Sequence, residues 1–381
     1  MMFANHSPPR AAYVHVPFCR HRCGYCNFTL VAGRDDLIDD YLTAIDLELQ
    51  TLGKPREVDT LFFGGGTPTH LPQKQLEQLL ACVRRWFPLA EGHELSVEAN
   101  PADLSEERID LLAAAGTNRL SLGGQSFHAE KLVLLERDHD AEQLHEAIER
   151  TKQRIGSLSL DLIFGTPGET LDVWQADLRQ ALDMNPQHLS TYGLTFERGT
   201  AFWNRLQSGA LEQLGEETER AMYAAAIDGL TAAGFEHYEV SNFARPGHRC
   251  RHNEVYWQGG AYYAVGPGAS RYVDGRRETN HRSTTTWLKR VLSGQSPVAE
   301  SETLEPEDRA RELLVFALRR LEGIEREDFS SRTGFDLDAL VGKPLERMTE
   351  LRLLDDDGRR VRLTREGLFV SDAIWPEFLR G

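Results

Sequence analysis

The chain has 381 residues, 40% of them apolar and 27% charged, with a formal net charge of −16. That length is enough to bury a substantial core in one large domain with an appendage, or in two domains. The acidic balance argues against a general nucleic-acid binder, since neutralising phosphates needs a basic face, and no run approaches the roughly 18 apolar residues of a spanning helix. The start, Met1 to Arg10, has no apolar signal core, which places the chain in the cytoplasm. The first strand expected is Tyr13–Val16, inside the apolar run Ala12 to Phe18 that leads directly into Cys19-Arg-His-Arg-Cys23-Gly-Tyr-Cys26.

After the cysteine loop, Asp36 to Leu52 carries Leu37, Tyr41, Ile45 and Leu49 at helical spacing and stops at Gly53. Val58 to Phe63 then reads as a strand running into Gly64-Gly-Gly-Thr-Pro-Thr69. The pattern repeats: strands are expected at 94–98, 119–122, 158–164 and 188–194, and helices at 74–87, 105–115, 141–154, 170–184 and 216–233. Six strands alternating with helices imply a parallel sheet with right-handed crossovers. The fold class is therefore α/β, a partial (β/α)6 barrel rather than the complete eight-unit one.

Beyond Gly234 the alternation stops. A connecting segment, 236–300, holds Arg251-His-Asn-Glu-Val-Tyr-Trp257, a glycine- and aromatic-rich stretch from Gly259 to Gly268, and then a polar stretch. Residues 301–381 read as helices followed by a hairpin over 351–363 turning at Asp357-Gly358, a winged-helix-like α+β module. Its acid-rich helices favour packing or a lid over DNA binding.

Three of the five cysteines lie within eight residues, while Cys82 and Cys250 stand alone. Structural zinc wants four protein ligands, typically in two pairs, and no second pair exists. A cubane iron–sulfur cluster on three thiolates leaves one iron open to a small molecule. An odd cysteine count with three clustered also fits a reducing compartment. In a parallel barrel the functional groups sit at the C-terminal ends of strands. There the chain puts Cys19, Gly64 to Thr67, Glu98, Gly123 to Gln125, Asp161 to Gly165 and Tyr192 to Thr195. Singly, each has a plain explanation as a turn glycine, an N-cap acid or a packed polar residue. Together, Gly65, Gly66 and Thr67 let the backbone approach a small polar group. Glu98, Gln125, Arg137 and Asp161 offer hydrogen bonds to amino, carboxylate and ribose groups, and Tyr25 offers contact to a flat ring.

The spacing Cys19-x3-Cys23-x2-Cys26, with Tyr25 before the last cysteine and a glycine-rich loop at the second strand, resembles the radical S-adenosylmethionine (SAM) superfamily. Within it the chain is similar to the oxygen-independent coproporphyrinogen III oxidase family through Tyr13-Val-His-Val-Pro-Phe-Cys19, Phe63-Gly-Gly-Gly-Thr-Pro-Thr69, Leu122-Gly-Gly-Gln-Ser-Phe127 and Asp161-Leu-Ile-Phe-Gly165. The resemblance implies a [4Fe-4S] cluster on Cys19, Cys23 and Cys26, with SAM chelating the fourth iron. It implies a SAM site lined by Tyr13, Tyr25, Gly65, Gly66, Thr67, Glu98, Gln125, Arg137 and Asp161. In such proteins one electron from the reduced cluster cleaves the sulfonium to methionine and a 5′-deoxyadenosyl radical.

Oxidases of that family resemble one another in a fourth cysteine two residues past the third and in an N-terminal extension. This chain has Phe28 there, and twelve residues precede Tyr13. Instead, His252-Asn-Glu-Val-Tyr-Trp257 resembles the signature of the family's haem-chaperone (HemW) branch, although Asn27 stands where that branch usually has Asp. The resemblance implies haem as cargo, passed to acceptor haem proteins of respiratory or other kinds, and no oxidase activity. A neutral imidazole is a standard axial haem ligand, so His252, with Tyr256 and Trp257 packing on the macrocycle, is the haem candidate. Cys250, two residues before it, is a possible assistant; His15 and Cys82 read as packed residues. The competing expectations are decarboxylation of coproporphyrinogen III and a structural zinc module.

Overall fold

A computed structural model describes residues 8–379. Its main sheet has nine strands: β1 (Ala11–Val16), β2 (Val58–Gly65), β3 (Leu89–Ala99), β4 (Arg119–Gln125), β5 (Ser157–Phe164), β6 (His188–Gly193), β7 (Glu236–Glu239), β8 (Asn242–Ala244) and β9 (Tyr263–Val265). The order is β9-β1-β2-β3-β4-β5-β6-β8-β7. All pairings from β9 to β6 are parallel, and β8 and β7 close the far edge antiparallel.

The six expected βα units are present, and their sequence alternation shows why the barrel forms. In Ser157-Leu-Ser-Leu-Asp-Leu the leucines are fully buried. On the other face Ser121 and Ser159 both reach Asp161, across strands and within β5 (3.0 and 3.5 Å). Successive residues point to opposite faces of a strand, so one face packs against helices while the barrel interior is polar.

Several features differ from the sequence reading. The edge strands β7 and β8 fall in what reads as a connecting segment. Tyr263–Val265, inside the glycine- and aromatic-rich stretch, is a seventh parallel strand beside β1, with Tyr13 opposite Ala264. The polar stretch after it forms a three-stranded antiparallel sheet of Ser270–Val273, Arg276–Asn280 and Val298–Glu302. Ion pairs hold it, Arg271 to Glu278 at 2.6 Å and Arg277 to Glu302 at 2.6 Å, rather than an apolar face. The C-terminal part has helices Pro306–Arg319, Arg326–Thr333 and Leu337–Glu350 and a hairpin, Leu354–Asp356 with Arg360–Leu363, turning at Gly358 (φ +83°). Among the described residues no helix is long and apolar enough to cross a membrane.

Candidate functional site

Cys19 closes the short strand Phe18–Cys19, which pairs with Val31–Ala32 and so ties residues 20–30 into a loop. Arg22 braces that loop from within, donating to the carbonyls of Cys26, Phe28 and Leu30 at 3.2, 3.3 and 2.8 Å. The turn at Gly24 sits flush on Phe202: a Cβ there would lie 2.5 Å from the ring. The thiol of Cys19 is 3.2 Å from the Thr67 hydroxyl, and Arg137 Nη1 is 3.6 Å from Cys23 Sγ.

Burial pushes all three thiols up, Cys19 to about 12, with the Arg137 charge opposing the shift at each. Thiolates here therefore need further positive charge, which a metal centre supplies. Three thiols carried on one loop are the donor set that the cluster suggested by the sequence requires.

The residues expected to line a SAM site gather at the same end of the barrel. Gly65 adopts φ +112° and donates its N–H to Glu98 Oε2 at 2.9 Å. A Cβ at Gly66 would meet the Phe18 carbonyl oxygen at 2.7 Å. Glu98 is pushed up to about 7, chiefly by burial, with the nearby Asp161 charge adding to the shift. Asp161 is itself raised by burial and held by Ser121 and Ser190. The β4–β5 register slips between Gly123 and Gln125 and leaves Gln125 at φ +64°, so a bulge turns this side chain at the strand's end. Arg137 donates to the Gly123 carbonyl (2.9 Å) and to Asn100 Oδ1 (3.2 Å), while its buried Nε has no partner. Tyr25 sits in the loop beside Phe202 and within the field of Arg137.

Tyr13, on β1, lies within the field of Glu98 and faces the motif at 251–257, its ring 6.5 Å from that of His252. It lines a cavity of about 710 Å3 together with Phe28, Tyr256, Trp257, Tyr262 and Phe316, within the roughly 300–1,000 Å3 typical of small-molecule sites. His15 Nε2 lies 2.7 Å from the Thr29 carbonyl and must donate to it, so Nδ1 accepts the Tyr13 hydroxyl at 3.1 Å.

His252 is held differently from what an open ligand requires. It is 1% exposed, with Nδ1 3.0 Å from the Thr60 hydroxyl and Nε2 2.7 Å from the Tyr256 hydroxyl. Its ring stacks on Phe62 at 5.1 Å. Tyr256 and Trp257 line the cavity; His252 reaches it through Tyr256. Cys250 is buried against Glu94, and Cys82 lies half-buried beside Asp46.

Three residues escaped the sequence reading. Asn100 joins Arg137 to Asp138 (3.2 and 2.7 Å), and its place in Glu98-Ala-Asn-Pro101 just past a strand end was the available signal. Glu94 accepts the backbone N–H groups of Arg251 and His252, both at 3.0 Å. Arg282 donates to the Asn27 carbonyl at 2.9 Å, beside Cys26. Neither of the last two carries any local signal.

Comparison with known proteins identifies the family. Residues 13–181 match the radical SAM superfamily, and residues 304–370 match the HemN C-terminal domain. The chain is 34% identical over 376 residues to the heme chaperone HemW of Bacillus subtilis, covering 97% of this chain and 99% of that one. It is 36% identical over 349 residues to the heme chaperone HemW of Escherichia coli, covering 87% and 88%. The solved structure of coproporphyrinogen III oxidase (HemN) from Escherichia coli superposes with a TM-score of 0.86 at 23% identity, over 97% of this chain and 90% of that one.

Proposed function

Because the chain belongs to the HemW family of the radical SAM superfamily, we propose that it is a cytoplasmic haem chaperone, binding haem and handing it to acceptor haem proteins. The observation that carries this reading is the cavity of about 710 Å3, which opens against Asn27, Phe28 and Thr29 of the cysteine loop and is floored by Tyr256 and Trp257.

In this reading Cys19, Cys23 and Cys26 hold a [4Fe-4S] cluster and the nine barrel-mouth residues from Tyr13 to Asp161 bind SAM. The cluster, when bound, supplies one-electron chemistry at the SAM sulfonium. The chain's own contribution is positioning. Glu98 fixes the glycine loop through Gly65, and Arg137 ties the cysteine loop to the end of β4 through Cys23 and Gly123. In the division proposed, 1–235 is the barrel region, described from residue 8, that carries this site; 236–300 is the connecting segment, which adds β7, β8 and β9 to the sheet and walls the cavity; and 301–381, described to residue 379, closes one side through Arg309 and Phe316.

The test uses full-length protein reconstituted anaerobically and titrated with haem, then mixed with an apo haem protein. One haem per chain and its transfer are expected; no saturable binding would refute the proposal. A second reading, oxidation of coproporphyrinogen III, has in its favour a fold shared with the oxidase over nearly the whole chain. Phe28, in place of a fourth cysteine, speaks against it. Incubation with that substrate, SAM and a reductant is expected to yield no vinyl product.

A further inference from the structure

A second cavity, of about 340 Å3, lies next to the large one and shares Asn27, Phe28, Thr29 and Arg282 with it. The two differ in chemistry. The larger carries seven aromatic side chains, and of its three arginines Arg277 and Arg309 both pair with Glu312, leaving Arg282, which it shares with the smaller cavity. The smaller is walled by Ser283, Thr284 and Thr285, the first residues of helix Thr284–Leu292 and its N-cap.

Three independent features point to an anion there. Arg282 forms no ion pair among the described residues; it donates only to the Asn27 carbonyl and the Thr29 hydroxyl (2.9 and 3.2 Å). Thr284 is 3% exposed and its hydroxyl has no hydrogen-bond partner. The helix start, whose Thr286 N–H is capped by the Ser283 hydroxyl, adds the positive end of the helix dipole.

We propose that the two cavities form one divided site for haem, with the macrocycle in the aromatic cavity and propionate carboxylate in the smaller one, on Arg282, the Thr284 hydroxyl and the helix N-terminus. This rests on the haem-chaperone reading and names its binding site. Arg282 is then a specificity residue for the carboxylates, and Phe28, 67% exposed at the boundary of the two cavities, is the edge over which the ring meets its acidic side chains. The carboxylate also meets the guanidinium that braces Asn27, so cargo and the cysteine loop share one residue.

The experiment titrates reconstituted full-length protein with haem and with haem dimethyl ester, which keeps the ring and removes the carboxylate charges. The parent should bind haem at least about tenfold more tightly than the ester, the worth of one charge-assisted hydrogen bond. Arg282→Gln and Thr284→Val should each weaken haem and leave the ester unchanged, while Arg276→Gln, outside both cavities, should alter neither. Equal affinity of the parent for haem and ester, or an Arg282→Gln variant that binds haem like the parent or loses both ligands alike, would overturn the assignment alone. A parent that takes up neither ligand would overturn the chaperone reading and this site with it.

Discussion

Gly66 has no room for a side chain, because an added Cβ would lie within 3 Å of backbone atoms of Val16, Pro17 and Phe18. Backbone cannot swing aside as a side chain does, so Gly66→Ala should lower stability by roughly 1–3 kcal/mol, read as a drop in the denaturant midpoint. At His252 the two ring nitrogens meet Thr60 and Tyr256 inside the fold. His252→Ala leaves a cavity and two deprived hydroxyls, and the loss expected in chemical unfolding is about 2–4 kcal/mol. Glu48 and Glu98 are both pushed up to about 7 by burial. Between the ordinary carboxylate range and pH 7 the native state keeps a proton the unfolded chain has lost. Stability from these groups therefore falls as pH rises across that window and stays low above it. Glu98→Gln in the cofactor-free chain should remove on the order of 3 kcal/mol from the total fall across that window; unfolding curves from pH 5 to 7.5 would show a shallower pH dependence, and an unchanged one would contradict it. The cysteine trio and the glycine loop were legible because their chemistry demands those residue types. Glu48 and Glu94 were not, since a buried acid and a surface acid look alike until the chain brings distant donors to them.

The motif helix Arg251–Trp257 has seven residues and no side-chain cap of its own. Short helices of this kind are marginal alone. Glu94 on β3 supplies the missing acceptor, taking the first two N–H groups of the helix from across the fold. Glu94→Ala should cost about 1–3 kcal/mol and speed amide exchange in residues 250–257 while the β1–β6 core keeps its protection; uniform loosening of the sheet would contradict this role. The βα units could be read from sequence because period-two apolar runs switch to helical spacing at each turn. β9 could not, since three residues flanked by glycines carry no period, and the small sheet is held by ion pairs that a strand pattern does not reveal.

Across the whole molecule one continuous apolar cluster runs from Ala12 on the first strand to Phe378 near the C-terminus. A smaller cluster of Leu135, Ile163, Leu194, Phe196 and Phe202, with Tyr25 packed on it, sits directly under the cysteine loop. The cluster loop thus rests on its own apolar pad, while the cavity beside it is walled by the barrel, the connecting segment and the C-terminal helices. That three-way wall was invisible in the sequence, because its residues are spread from Tyr13 to Phe316. The central claim, that three thiolates hold a cluster with one iron open to SAM, is tested most directly by electron paramagnetic resonance of the reduced, anaerobically prepared full-length protein before and after adding SAM. The account predicts a [4Fe-4S] signal that changes on SAM addition and disappears in the Cys19→Ser, Cys23→Ser, Cys26→Ser triple variant. A colourless protein carrying only zinc, or a cluster signal that survives the triple substitution, would contradict it.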